Sequence, residues 1–293
     1  MQKMRAFTGR RQRFTAMDMV NYLVMAILTV ITFYPIWYCI VVAFSTQAGY
    51  NADPYHIIPY TFSLETINYV LHNKAIFQAF FTSVGITVAG TCLSVILCAM
   101  AAYPLSKRHL RGQKLLFRLL IIPMFFSGGI VPWYITISKI FHLRDSYLVM
   151  ILPSAISTYN VILMKNYFLS LPESLEESAK LDGYNDLQIL FKIIIPISKP
   201  IFATITLFYA VTYWNDFFNA IMFISSDDKL PLSVILRNMI VANFNFMASG
   251  LQRQTPAQIK AAVIILSILP LMLVYPFVQK HFVQGIMLGS VKE

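Results

Sequence analysis

The sequence predicts an all-α polytopic membrane protein with six transmembrane helices, and three observations carry that reading. Hydrophobic residues make up 57% of the 293 positions and charged residues 12%, with a mean hydropathy of +0.63, whereas about a quarter of a soluble globular chain is charged. Apolar runs long enough to cross a ~30 Å hydrocarbon core recur along the chain at 20–44, 77–105, 115–137, 147–169, 198–223 and 259–281. The cations gather on alternate sides of those runs, which fixes an orientation.

The first run follows a basic stretch, Lys3, Arg5, Arg10, Arg11 and Arg13, with no small-residue cleavage site within the length of a secretory signal. It reads as a retained span behind a cytoplasmic segment, 1–19. A second basic group, Lys107, Arg108, Arg111, Lys114 and Arg118, stands between the second and third runs. By the positive-inside rule both groups face the cytoplasm, both termini lie inside, and the segments 45–76, 138–146 and 224–258 face outward. Residues 20–293 then form a single membrane domain in the cell membrane, with the lipid bilayer as its first partner. The net charge of +10 is explained by this topology, so no nucleic-acid partner is expected.

The third run contains Pro123, Pro132 and Gly128-Gly129 in "IIPMFFSGGIVPWY". Such breaks are tolerated in lipid only where neighbouring helices or a cavity satisfy the freed backbone, so the run is either a kinked packing helix or an element lining a path. The outer segment 224–258 holds "KLPLSVILRNMIVANFNFM", too apolar for a free tether, and it packs either on the protein's own outer surface or on an external partner. No internal inverted repeat is visible.

Several chemistries are excluded by what the chain lacks. It has no GxxxxGK[ST] phosphate-binding loop, no HExxH and no GxSxG. Cys39, Cys92 and Cys98 all fall in apolar runs without CxxC spacing and read as packing residues rather than metal ligands. No catalytic residue and no bound cofactor or metal is expected. Asp216 is the one carboxylate well inside a run, which argues against a proton- or sodium-driven carrier or a channel with an acidic relay.

Asp216 belongs to a polar and aromatic stripe. Tyr209, Thr212, Tyr213, Asp216 and Asn219 recur at three- and four-residue spacing on one helical face, with Trp214 and Asn215 adjacent. Aromatic rings stack on sugar faces, and Asp and Asn bond hydroxyl groups, so the stripe is a candidate translocation face. An aromatic belt at the outer headgroups is the other reading.

The densest acidic stretch is "LPESLEESAKLDGYNDLQILFKIIIPISKP", 171–200, where five of the thirteen carboxylates fall within fourteen residues. It predicts two short helices. Ser170 with Glu173 fits a capping box, Gly183 suits a left-handed stop, and Asn185 with Gln188 fits a second capping box before Pro196 bounds the next helix. Leu175 and Ala179 make one apolar side; Leu187, Leu190, Phe191 and Ile194 make the other. Too short to be stable alone, these helices must dock, and their carboxylates disfavour anionic lipid. The result is an acidic handle for a soluble partner.

At "EESAKLDG", followed by "FKIIIPISKP", the chain resembles bacterial ABC importer permeases, whose EAA loop has this pattern. Further resemblance lies in "AAYPLSKR" (101–108), "FFSGGIVPWY" (125–134), "FYAVTYWNDFFNA" (208–220), "VILRN" (234–238) and "YPFVQKHFVQGIMLGSVK". Together these resemble the carbohydrate-uptake, maltose-permease-like group and its oligosaccharide- or polysaccharide-import subgroup. Ser178 stands where Ala is commoner, a small-for-small change. The resemblance implies a type I importer permease fold with a cytoplasmic two-helix coupling loop at 170–197. It implies that Glu176, Glu177, Ser178, Ala179, Asp182 and Gly183 meet a separate ATPase dimer, Glu177 facing a basic group on it. Further implied partners are a second homologous permease and an extracytoplasmic solute-binding protein, with ATP and Mg on the ATPase. The implied function is ATP-driven oligosaccharide import by alternating access, with peptide or another solute as the alternative cargo.

Overall fold

A computed structural model describes residues 16–107, 109–126, 128–241 and 256–290, so positions 1–15 of the basic N-terminal segment lie outside the described residues. The first half of the chain forms α1 (Ala16–Ala43), α2 (Gln47–Ala52), α3 (Glu65–His72), α4 (Lys74–Ser106), α5 (Gln113–Phe125), α6 (Ile130–Ile135) and α7 (Leu148–Ile151). The second half forms α8 (Thr158–Leu169), α9 (Ser174–Leu181), α10 (Asp186–Ile189), α11 (Ile195–Ile197), α12 (Lys199–Asn215), α13 (Phe218–Phe223), α14 (Leu232–Val241) and α15 (Pro256–Ser290). Among the described residues there is no strand, only an isolated antiparallel bridge between Ser45 and Phe62.

Three helical stretches, Met17–Ala43, Lys74–Ser106 and Ala257–Pro276, are each long and apolar enough to cross a membrane. Three bent pairs bring the number to six if each pair is one span. The pairs bend at the expected Gly128-Gly129 break of the run 115–137, between Ser154 and Thr158 in the run 147–169, and at Ser198, where the run 198–223 begins; that last run is interrupted again after Asn215. In the first, α5 gives way before Gly129, whose φ of +84° suits a residue without Cβ, and α6 runs on into a π turn at Thr136–Ile140. In the second, a 3₁₀ turn at Leu152–Ser154 carries Pro153, and α8 leaves at 49° with Ser157 as its cap. In the third, α12 stops at Asn215, and the Asp216 carboxylate accepts from the Asn219 N–H (3.2 Å) and Nδ2 (2.9 Å) as α13 begins.

The centre of the fold is α4, which packs against α8, α12 and α14, while α15 packs against α1, α3, α12 and α14. Where α4 meets its neighbours it presents small residues: Ser83, Gly90, Thr91, Ser94, Cys98, Ala99 and Ala102 are all buried. Small residues let backbones approach closely, which is how helices associate where no hydrophobic drive operates between them. At Gly90 the approach is close enough that a Cβ would lie 2.8 Å from the Tyr213 ring.

The segments expected to face outward are folded back on the protein. Ser45 O accepts from Gln258 Nε2 (2.6 Å), and Asn73 caps α4 by accepting from the N–H groups of Ala75 and Ile76. α14, with Leu232, Val234 and Met239 buried, takes the first part of 224–258 onto the bundle; 242–255 lie outside the described residues. A polar clasp joins the 141–147 and 224–230 turns. Asp145, at φ +56°, accepts from the Ser225 and Ser226 N–H groups (3.0 Å each), from Ser226 Oγ (2.6 Å) and from Lys229 Nζ (3.0 Å). The Ser226 hydroxyl and Lys229, then the two N–H groups, hold the Asp145 carboxyl well below its ordinary 3.8. The bond to Asp145 raises Lys229 above its ordinary 10.5.

Gly90→Ala should lower the thermal midpoint of the purified protein, because overpacking a tight contact costs ~1–3 kcal/mol. Gly85→Ala, with nothing within 4 Å of the new Cβ, should instead raise the midpoint slightly, since Ala is favoured over Gly within a helix by ~0.5–1 kcal/mol. The clasp sets a pH window. The depressed Asp145 contributes fully above its ordinary pKa and less as pH falls below it, and the raised Lys229 contributes fully below its ordinary pKa and less as pH climbs past it. Hydrogen exchange in 141–147 and 224–230 should therefore be flat between about pH 5 and pH 9 after correction for intrinsic rates, and protection should fall on acidification below about pH 4. Asp145→Asn should show the loosened state already at neutral pH.

Candidate coupling element and transport path

Between α8 and α12 the chain makes a compact arm. The expected capping box of Ser170 with Glu173 does not form. Ser170 ends α8 and its hydroxyl donates to Tyr167 O (2.7 Å), while Glu173 precedes α9 without a side-chain cap bond. Gly183, at φ +84°, closes α9 as expected: its N–H donates to Lys180 O and that of Tyr184 to Ala179 O. These two bonds are the glycine-terminated Schellman closure. The Asn185–Gln188 capping box does form and opens α10.

Pro196 does not bound that helix, which continues through a π turn at Leu190–Ile194 into α11 and ends at Ser198, where the chain bends by 90° into α12. A proline ring collides with the carbonyl four residues before it, here Lys192, and the widened turn lies there. The same extra residue rotates Leu187 off the Ile194 face. Ala179, Ile189, Leu190 and Ile194 are buried, while Leu175, Leu187 and Phe191 stand outward, contrary to the expected apolar sides.

The carboxylates also divide. Glu176 turns inward to pair with Lys107, whose ammonium lies 3.9 Å from the Tyr103 ring centroid at the end of α4. Glu177, Ser178, Asp182 and Gly183 are exposed, and Ala179 is buried beneath them. Leu181, 89% exposed, joins Leu187 and Phe191 to give the arm an outer surface of apolar side chains beside Glu177.

The stripe on α12 resolves into three environments. Tyr209 and Tyr213 are core residues. Tyr209 Oη accepts from the Ser157 N–H (3.0 Å), and Tyr213 Oη donates to Ile151 O (2.9 Å) while bonded to Ser94 Oγ (2.7 Å). Thr212 is exposed on a cleft of about 750 Å³ between α8, α12 and α15, with Tyr159, Asn160 and one side of Tyr209 among its walls. Asp216 and Asn219 sit at the α12–α13 break and not on the same helix as the other three. A second cleft of about 420 Å³ brings Phe218 against Gly128, Gly129, Trp133 and Thr136, so the breaks of two spans adjoin. Trp133 and Tyr159 were not anticipated; the Gly-Gly break beside Trp133 was the available signal.

Comparison with known proteins decides the family. Residues 94–288 match the family described as the binding-protein-dependent transport system inner membrane component. The chain belongs to this family. Among relatives, it is 42% identical to the polygalacturonan/rhamnogalacturonan transport system permease protein YtcP of Bacillus subtilis, covering 94% of this chain and 98% of that one. It is 41% identical to protein LplC of the same organism over 94% of both chains. Among solved structures, one chain of a bacterial ABC transporter that imports the acidic polysaccharide alginate superposes with a TM-score of 0.86 at 33% identity, covering 92% of this chain and 99% of that one.

The permease is thus a multi-pass membrane subunit of a binding-protein-dependent ABC importer, a transport component and not an enzyme. The matched stretch includes the whole arm, α12 and both clefts.

Proposed function

We propose that the permease carries oligosaccharides of plant or microbial polysaccharides across the cell membrane by alternating access, driven by a separate ATPase. The observation that carries the reading is likeness along nearly the full chain to permeases named for polygalacturonan, rhamnogalacturonan and alginate. The clefts suit such cargo, since Trp133, Tyr159 and Phe218 offer stacking faces and Thr136, Asn160 and Thr212 offer hydrogen bonds. In this reading the six runs each cross the membrane, both termini are cytoplasmic, and the assembly holds a second homologous permease, an ATPase dimer that binds ATP and Mg, and an extracytoplasmic solute-binding protein. Thr212, Asp216 and Asn219 are the stripe residues with access to a path; Tyr209 and Tyr213 shape it from the core.

The arm 170–197 is the coupling element. Leu181, Leu187 and Phe191 enter an apolar groove on the ATPase, and Glu177 meets a cation that the contact removes from water. Glu176 has the different task of fixing the arm to α4. Gly183 keeps its shape, since a residue with Cβ in the left-handed region costs roughly 1–2 kcal/mol.

The test is binding-protein-stimulated ATP hydrolysis and uptake by the complete importer in proteoliposomes, with a panel of neutral and uronate oligosaccharides. One sugar class should stimulate both activities. Glu177→Ala should lower stimulated hydrolysis by about tenfold or more, because truncating one partner of a desolvated charged pair costs ~2–5 kcal/mol. Gly183→Asp should lower it as well, by straining the left-handed closure of the arm, and both proteins should still insert. Phe191→Ser should release the ATPase in co-purification. Sugar-independent uptake, or full stimulation in all three variants, would refute the reading.

A further inference from the structure

We propose that Lys107 is a positioning residue for coupling: through Glu176 it makes the end of α4 a second output of the arm, beside the covalent passage into α12. The inference rests on the reading of 170–197 as the coupling element. Lys107 lies 69 positions before Glu176 and outside the arm, so it acts on transport without meeting the ATPase.

The arm is joined covalently to α8 and α12, whereas α4 meets it only through space. Its other charged contacts stay within it: Lys180 pairs with Asp186 (3.6 Å), and Lys192 lies 5.3 Å from the Tyr184 ring centroid. Among the described residues, Lys107–Glu176 is the one ion pair that leaves the arm. The two pairs differ in what they can transmit. The side chains of Lys180 and Asp186 are 57% and 72% exposed, a setting in which an ion pair contributes little and rearranges freely. Those of Lys107 and Glu176 are 26% and 22% exposed, and parting them would leave two largely covered charges without partners, so this pair resists opening.

Both ends of the link are stiff. On the α4 side three successive carbonyls are each bonded: the Lys107 N–H donates to Pro104 O (3.1 Å), Ser106 Oγ to Tyr103 O (2.6 Å) and Gln113 Nε2 to Leu105 O (2.7 Å). Beneath the ammonium, the buried Tyr103 ring meets Phe168 of α8 edge-on with centroids 6.4 Å apart. Its face lies 3.9 Å from Lys107 Nζ, and a cation over a ring face is held there electrostatically. On the arm side Glu176 and Ala179 stand three residues apart on one face of α9, and Ala179 is buried, so that face is pressed on the protein. Glu177 is turned from Glu176 by about 100° and is exposed. Neighbouring carboxylates of one helical turn thus face two different bodies, and a rotation of α9 imposed at Glu177 is delivered to Lys107 by Glu176.

The test compares natural, Lys107→Met, Lys107→Arg and Glu177→Ala importers in proteoliposomes, reading ATPase retention, hydrolysis and the stimulating sugar taken up per ATP. Lys107→Met should keep the ATPase bound and its sugar-independent hydrolysis unchanged, while sugar per ATP falls about fivefold or more, the usual lower size of a coupling between two sites. Lys107→Arg, which keeps a cation over Tyr103, should restore most of the natural ratio. A natural ratio in Lys107→Met overturns the proposal, and so does loss of the ATPase from that variant, which would make the pair a structural fastening. If Lys107→Met does not accumulate, the exchange Lys107→Glu with Glu176→Lys decides: a ratio above that of Glu176→Lys alone supports the link, and no gain overturns it. Glu177→Ala separates the two readings. Full stimulated hydrolysis in that variant defeats the coupling role of the arm and this proposal with it; lowered hydrolysis there, with a natural ratio in Lys107→Met, defeats this proposal alone.

Discussion

Wherever this chain leaves helical geometry inside the apolar layer, the N–H and C=O groups it releases must find partners within the protein, because hydrocarbon offers none. Leaving one buried and unpaired costs ~1–3 kcal/mol. The break between α7 and α8 is built around that constraint. Tyr213 donates to the carbonyl of Ile151 before it, and Tyr209 accepts from the N–H of Ser157 after it. Since the single Tyr213 proton goes to Ile151, Ser94 on α4 must donate to Tyr213 in turn. Two tyrosines one turn apart on α12 thus close both sides of a broken span and fasten it to α4. The neighbouring break follows the same rule: the Asp216 carbonyl accepts from Ser233 Oγ (2.9 Å) on α14, and its carboxylate starts α13.

This explains what could be read from the chain and what could not. The runs that became α1, α4 and α15 needed only length and apolarity, which are local properties. The Gly183 stop and the Asn185–Gln188 box were equally local, their partners lying within five residues. Ser170 failed as a cap because the end of α8 had the stronger claim on its hydroxyl. The α12–α13 break carries neither proline nor glycine, and the carbonyl it frees at Asp216 is taken by Ser233, which no window on the fifth run contains. The stripe on α12 had the right period, but polarity on a buried helix face marks a seam between helices as readily as a path. The Asp145–Lys229 clasp joins residues 84 apart and had no local signature at all.

On the proposed coupling role, the arm and the breaks form one connected set of contacts. α11 passes into α12 at Ser198, whose N–H is shared between Ile194 O and Ile195 O and whose side chain is wholly buried, so the 90° bend is packed in place. A displacement of the arm would therefore enter α12 at its first turn. It would enter α4 as well, because Glu176 holds Lys107, the residue that caps the end of that helix. Both routes lead to the same point: α12 carries Tyr213, and α4 carries the Gly90 and Ser94 that the tyrosine rests on and bonds to. Any sliding of α12 against α4 changes the bond that closes the fourth span, and with it the wall of the cleft at Tyr159 and Thr212. Tightly packed small residues resist gradual deformation, so such a seam moves between discrete seatings or not at all. If the arm couples as proposed, opening of the path requires no separate hinge, because the contact that satisfies the broken backbone would also be the contact to exchange.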